Sequence, residues 1–206
     1  MTLQSDVDRA TSVVPREAGA PAPRLTPALA WWPDALLAVL VGFASVLIAA
    51  LAMRIRPGYL GVPWGEGDLL AVYAYAENLS RGHWFLMNPD LGYPGFQDHG
   101  HFPVTDLVSM AQIALLSLLT QSPVLAVNLF TLGTFFTVSG VFYLVLRGAS
   151  VSWPFAAVIA VAFAVLPWHF TRAGGHVFLA SYVSVPLALF LVGLVARSRL
   201  GCPQRR

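Results

Sequence analysis

The chain has 206 residues, of which 57% are hydrophobic and only 11% are charged, and its mean hydropathy is +0.68. Soluble domains carry roughly 25% charged residues, so this composition excludes an ordinary soluble protein and a disordered one. The net charge is only +2 and no basic patch alternates with aromatic residues, which excludes nucleic acid as a partner. The single cysteine, Cys202, excludes an internal disulfide and a multi-cysteine metal site. The class that remains is an all-α integral membrane protein.

The N-terminal part of the chain predicts a tail followed by a first membrane helix. Residues 1–30 contain four prolines, mixed charge and little periodicity, which is typical of a disordered cytoplasmic tail. Residues 35–53 carry no charge, and about 20 apolar residues are needed to cross the hydrocarbon core, so they predict the first span. A signal peptide is the alternative, because 50–52 resembles a cleavage site, although the long tail and the long apolar run are atypical of one.

The segment 54–122 predicts a long extracytoplasmic loop with two short helices at the membrane surface. The first helix covers about 69–81, where apolar residues recur at helical spacing, with Asp68 as its N-cap and Gly82 at its C-terminal end. The second covers about 104–120. Because this stretch is short and carries several polar residues, it is expected either to lie in the interface or to form a short span.

Three further apolar stretches, at about 123–146, 151–168 and 177–196, predict membrane helices. The total is therefore four spans, or five if 104–120 also crosses. The ending 197–206 carries four arginines and predicts a cytoplasmic tail, or a cytoplasmic loop that continues in a longer protein.

Arginine placement bears on the choice between these arrangements, because arginine is enriched on the cytoplasmic side of membrane proteins. With four spans, both termini share one side with eight of the 12 arginines, so that side is predicted to be cytoplasmic. With five spans the count is again eight against four, but the N-terminus lies outside. Four spans are favoured, because 104–120 is the most polar stretch and all five histidines then share the external side with six of the ten acidic residues. The chain is predicted to be a multi-pass protein of the cytoplasmic membrane with both termini in the cytoplasm.

The external segment carries a series of motifs. Gly67-Asp68 follows the first span, and after a short helix come Gly82-His83-Trp84, Asn88-Pro89-Asp90-Leu91-Gly92-Tyr93-Pro94 and Phe102-Pro103. Later motifs are Leu166-Pro167-Trp168-His169-Phe170, Gly174-Gly175-His176 and Val185-Pro186-Leu187. Over about 60–196 this pattern resembles the N-terminal part of polytopic membrane glycosyltransferases of the GT-C class, closest to the YfhO-like and related families of large bacterial membrane proteins.

The resemblance implies that a sugar is transferred from a polyprenyl phosphate to an acceptor outside the membrane. It implies an acidic residue in the first external loop that acts as general base or binds the acceptor, which is Asp68 here, with Glu66 as the nearby alternative. The expected partners are the lipid-linked sugar donor, membrane lipids, and either a missing C-terminal part or a partner subunit. Enzymes of this class have more helices than 206 residues supply.

Other polar residues of the external side complete the predicted site. The substrate, with its phosphate group, is expected to contact His101, His169, Arg172 and His176. A divalent cation is the one cofactor that the sequence suggests, because Asp98 and His99 have suitable ligand atoms, although their spacing matches no established metal motif.

Two other functions remain open. A non-catalytic membrane scaffold or assembly factor predicts that Asp68 only caps a helix and can be lost without effect. A transporter or flippase fragment agrees less well with the sequence, because no predicted span carries a charged residue near its middle and no internal repeat is evident.

Overall fold

The computed structural model describes residues 31–65, 67–100 and 106–200. The predicted tail 1–30 and residues 201–206 of the predicted C-terminal tail lie outside the described residues. The α-helices are α1 (Trp31–Ala52), α2 (Asp68–Ser80), α3 (Leu107–Thr120), α4 (Pro123–Gly148), α5 (Trp153–Ala164), α6 (Pro167–Gly175), α7 (Val177–Ala180) and α8 (Ser184–Leu200). The described part of the chain adds a 3-10 turn at Pro57–Tyr59 and one antiparallel strand pair, β1 (Met87–Asn88) with β2 (Gln97–Asp98).

Several of these helices are long and apolar enough to cross a membrane. By length and composition they are Trp32–Ala52, Pro123–Gly148 and Val177–Ala196 among the described residues. A fourth candidate is the pair of α5 and α6, which are bent by 43° relative to each other. The fold is therefore an all-helical one with three or four potential spans, which indicates a multi-pass membrane protein.

Helices α1 and α4 pack side by side in opposite directions. At one end of this helix pair, the Asp34 carboxylate at the start of α1 accepts a 2.7 Å hydrogen bond from Arg147 Nε at the end of α4. Further along, a Cβ added to Gly42 would lie 2.5 Å from the Phe136 ring, so this α4 ring packs directly against the backbone of α1. The end of α1 and the start of α4 consequently lie together at the opposite end, and the connecting segment 53–122 makes no net crossing of the bundle. These directions are the ones that the four-span arrangement requires.

The predicted span 151–168 is not one straight helix. Helix α5 ends at Ala164, and Leu166 adopts an extended conformation before Pro167 begins α6. The reason is steric, because a proline disfavours helical dihedrals in the residue before it. The predicted span 177–196 is likewise interrupted at 181–183, where the four-residue helix α7 ends and α8 follows.

Helix α8 returns along α4 to the end of the bundle at which α1 begins. At its start, the Tyr182 hydroxyl donates to the Phe163 carbonyl at 2.9 Å. Further on, a Cβ added to Gly148 would lie 3.3 Å from the Phe190 ring. The described chain therefore begins and ends at the same end of the bundle.

Helices α2 and α3 form a layer around the beginning of α4. Their apolar faces share one buried cluster with α4, centred on Leu69, Met110, Ile113, Val127 and Phe130. The layer lies at the end of the bundle where α1 ends, and the strand pair β1–β2 is attached to it by Asn78, whose amide nitrogen donates to two carbonyls of 84–87.

The ends of α2 differ in part from the prediction. Gly82 follows the helix with a φ of 84°, and the His83 N–H bonds back to the Asn78 carbonyl at 3.1 Å, a standard glycine helix stop. At the other end, the N-cap is Gly67 and not Asp68, which is instead the first helical residue. Gly67 takes this position because its φ is 62°, a region that favours glycine, and its lack of a side chain leaves the cap without a side-chain hydrogen bond.

Candidate functional site

Two of the residues predicted for the site, far apart in the sequence, are in direct contact. Asp68 Oδ2 lies 2.6 Å from His176 Nδ1. The side chains are 71% and 49% exposed, respectively, so both face a region open to solvent or to a ligand. The contact is an ion pair when the imidazole is protonated and a hydrogen bond when it is neutral.

The elements on either side hold this pair in place. Asp68 begins α2, whose next residue, Leu69, is 1% exposed and anchors the helix in the buried cluster. His176 follows α6 as its C-cap, with its N–H bonded to the Arg172 carbonyl at 2.8 Å. The two backbones also touch, because a Cβ added to Gly65 would lie 2.3 Å from the Gly174 oxygen. This close approach admits only glycine at position 65.

Arg172 lies one helical turn before His176 on α6. Its guanidinium carbon is 5.6 Å from the centre of the Trp168 ring, within the range of a cation–π interaction. Its Nε is buried and has no hydrogen-bond partner among the described residues. Leaving such a donor unpaired costs about 1–3 kcal/mol.

His169 occupies a different environment from His176. It is fully buried, and its Nε2 lies 2.9 Å from Thr134 Oγ1 while its Nδ1 lies 2.7 Å from the Ala164 carbonyl oxygen. Its ring stacks on Phe135 at a centroid distance of 3.7 Å. Both ring nitrogens thus contact protein atoms inside the bundle, and the residue joins α6 to α4.

The predicted cation ligands are Asp98 and His99. The Asp98 carboxylate accepts a 2.7 Å hydrogen bond from the Gly100 N–H, and the buried His99 ring meets Tyr75 edge-on at a centroid distance of 5.0 Å. Among residues 31–65, 67–100 and 106–200, no three His, Cys, Asp or Glu side chains come together in a way that could hold a metal ion. His101 and Glu66, the other predicted site residues, lie outside the described residues.

The buried side chain of Asn128 organises the loop before α2. In the sequence this residue is only a lone polar residue in an apolar span. Asn128 Nδ2 donates to the Leu60 and Val62 carbonyls at 2.8 and 2.9 Å, and its Oδ1 accepts from the Tyr73 hydroxyl at 2.5 Å. Burial raises the pKa of Tyr73, so its hydroxyl keeps the proton that it donates. The same hydroxyl accepts from the Trp64 N–H at 2.8 Å. The loop that leads to Asp68 is therefore tied to both α2 and α4.

The chain matches no protein-family model, no curated protein and no solved structure. The resemblance to GT-C glycosyltransferases thus rests on the sequence motifs alone.

Proposed function

We propose that this chain belongs to a membrane glycosyltransferase that moves a sugar from a polyprenyl-phosphate-linked donor to an acceptor hydroxyl. The observation that carries the proposal is the contact between Asp68 and His176, with Arg172 one turn away on α6. A carboxylate that is oriented by an imidazole and still largely exposed is suited to accept a proton from a substrate.

The reaction divides the work between two groups. The acceptor oxygen attacks the anomeric carbon of the sugar, and the bond from that carbon to the phosphate oxygen breaks, its electron pair leaving with the phosphate. The proton of the acceptor hydroxyl passes to the Asp68 carboxylate. Because Oδ2 contacts His176, we assign the acceptor proton to Oδ1.

Arg172 is the residue that we assign to the leaving phosphate. Its guanidinium lies beside the Trp168 ring, and its side chain is only partly buried. A phosphate oxygen can pair with this cation, and the negative charge of that oxygen grows as the sugar leaves, so the interaction strengthens in the transition state. His176 contributes by orienting Asp68, while His169 joins α6 to α4 and thereby positions Arg172.

The test is a transfer assay on membranes of cells that express the longest reading frame containing this chain. Undecaprenyl-phosphate-linked glucose and mannose serve as donors, and release of free undecaprenyl phosphate is measured. Since general base catalysis contributes about 100-fold or more, Asp68→Asn is expected to reduce release by at least about 100-fold. The matched control is Asp90→Asn, an acid of the same segment that pairs with the exposed Arg81, and it is expected to leave release nearly unchanged.

Two results contradict the proposal. One is a wild-type protein that releases polyprenyl phosphate from neither donor. The other is an Asp68→Asn variant, expressed at the wild-type level, that is as active as Asp90→Asn. The second result would favour a structural role for the contact between α2 and α6, as expected for a non-catalytic scaffold.

A further inference from the structure

A cavity of about 430 Å³ opens where α1 ends, and it is separate from the contact between Asp68 and His176. Two arginines and two aromatic residues contribute to its wall, and none of the lining residues that the structure describes is acidic. The lining residues are Met53, Arg54, Ile55, Arg56, Tyr59 and Trp64. We call this the α1-end cavity.

The position of the α1-end cavity follows from the length of α1. The apolar helix Trp32–Ala52 has 21 residues. At 1.5 Å per residue it is about 31 Å long, which equals the thickness of a bilayer hydrocarbon core of about 30 Å. Arg54 and Arg56 come two and four residues after this helix, and the lipid phosphates lie in the polar layer directly outside the core. The cavity is therefore at the depth of the lipid headgroups.

The aromatic wall of the cavity is fixed by hydrogen bonds. The Trp64 indole N–H donates to the Tyr59 carbonyl at 2.8 Å. The Trp64 backbone N–H donates to the Tyr73 hydroxyl, which is itself bonded to the buried Asn128. The 3-10 turn Pro57–Tyr59 connects this wall to the arginines. The site is thus built before any ligand arrives, which reduces the entropy cost of binding.

Arg54 adopts a backbone conformation that favours glycine. Its φ is 55°, and it lies just after α1. Two hydrogen bonds close the end of the helix there: the Ile55 N–H donates to the Ala50 carbonyl at 2.9 Å, and the Arg54 N–H donates to the Leu51 carbonyl at 3.1 Å. At a positive φ, the Cβ of a residue other than glycine comes too close to the neighbouring carbonyl oxygen. Complementing the helix dipole explains a cation near this end, but a cation within the ordinary φ range would serve that purpose equally well.

We propose that the α1-end cavity binds the phosphate group of a membrane lipid. Arginine pairs with phosphate through two parallel N–H bonds, and the two arginines of the cavity provide four such donors. The rings of Tyr59 and Trp64 are suited to the apolar part of the lipid next to its phosphate. A volume of about 430 Å³ falls in the range of small-molecule sites. This proposal does not depend on the proposed transferase activity.

Native mass spectrometry of the detergent-purified full chain tests the proposal with three probes. Dioctanoyl phosphatidylglycerol and inorganic phosphate both present a phosphate group, and dioctanoylglycerol lacks one. Dioctanoyl phosphatidylglycerol is expected to bind at least about tenfold more tightly than dioctanoylglycerol. Equal binding of inorganic phosphate would overturn a lipid as the ligand in favour of free phosphate, and equal binding of dioctanoylglycerol would overturn the proposal.

Variants assign the binding to residues. Because each arginine contributes charged hydrogen bonds, Arg56→Gln is expected to weaken binding of dioctanoyl phosphatidylglycerol about tenfold, and the double variant with Arg54→Gln about 100-fold. Arg81→Gln is the matched control, because Arg81 is an exposed arginine already paired with Glu77 and Asp90, and it is expected to have no effect. A double variant that binds as the control does would overturn the proposal.

Two more variants separate binding from folding and from the proposed catalysis. Arg54→Gly removes the cation while allowing the positive φ, so we expect it to retain thermal stability and still to bind phospholipid about tenfold more weakly. Asp68→Asn is expected to bind phospholipid as the wild type does. Loss of lipid binding in Arg54→Gly therefore tests this site alone, whereas loss of transfer in Asp68→Asn tests the proposed function alone.

Discussion

The prediction that tests the architecture of both sites concerns Asn128. Replacing it with alanine removes the amide that joins α4 to the loop 60–64 and to the Tyr73 hydroxyl. This loop supplies Trp64 to the α1-end cavity and leads directly to α2. Asn128→Ala should therefore destabilise the protein and, in particular, release this loop.

The size of the effect follows from the three hydrogen bonds. Each is worth about 1 kcal/mol in soluble proteins and about 0.6 kcal/mol on average inside a membrane, so their loss costs about 2–3 kcal/mol. The Tyr73 hydroxyl and the Leu60 and Val62 carbonyls all lose a partner at once. Asn128→Asp is expected to cost more, because a carboxylate would face the two carbonyl oxygens that the amide nitrogen now satisfies.

Two measurements in detergent check this prediction. The free energy of unfolding is expected to fall by about 2–3 kcal/mol in Asn128→Ala, and amide hydrogen exchange is expected to accelerate at 60–65 before it does in α1 or α4. The matched control is Asn88→Ala, since the Asn88 side chain accepts a single hydrogen bond within the described part of the chain, from the Asp90 N–H at 3.0 Å. An Asn128→Ala variant that loses no more stability than this control, with unchanged exchange at 60–65, would refute the reasoning.

Two further predictions concern the arrangement of the helices. Breaking a buried ion pair typically costs about 3–5 kcal/mol, so Asp34→Asn and Arg147→Gln should each destabilise the protein strongly. A double-mutant cycle should show that the two losses are not additive. Additive losses would contradict the antiparallel packing of α1 and α4. In a Cys202→Ser background, cysteines at positions 68 and 176 should both react with a membrane-impermeant thiol reagent added to the same face; reaction from opposite faces would rule out four spans.

Much of the helical framework follows from local sequence patterns. The uncharged run 35–53 specifies α1 because it can satisfy its backbone only as a helix in an apolar environment. Gly82 marks the end of α2 because a glycine with positive φ closes the last helical turn. These features depend on a few neighbouring residues, so a single sequence is sufficient to recognise them.

Long-range contacts could not be predicted in the same way. Asp34 and Arg147 lie just outside the apolar runs from which spans are recognised, so hydropathy leaves both out, yet they form a buried ion pair. The Gly-Asp and Gly-Gly-His motifs each predict one site residue, Asp68 and His176. Only the directions of α4, α5 and α6 bring these two residues together. The α1-end cavity was missed for the same reason, because Arg54 and Arg56 in a sequence are typical of snorkelling residues after any membrane helix.

The bend between α5 and α6 connects the helix directions to the site. Since α4 ends where α1 begins, α5 must run back toward the end of the bundle that holds α2 and α3. Helix α5 has 12 residues and α6 has 9, so at 1.5 Å per residue they are together about 31 Å long, which is enough to traverse the bundle.

The 43° bend between α5 and α6 follows the extended residue before Pro167, and the buried His169 fixes α6 against α4 directly after the bend. His176 then reaches the first residue of α2 because α6 is tilted. Three residues of this segment thus have successive roles. Pro167 allows the bend, the buried His169 fixes the tilted helix, and His176 places an imidazole beside Asp68.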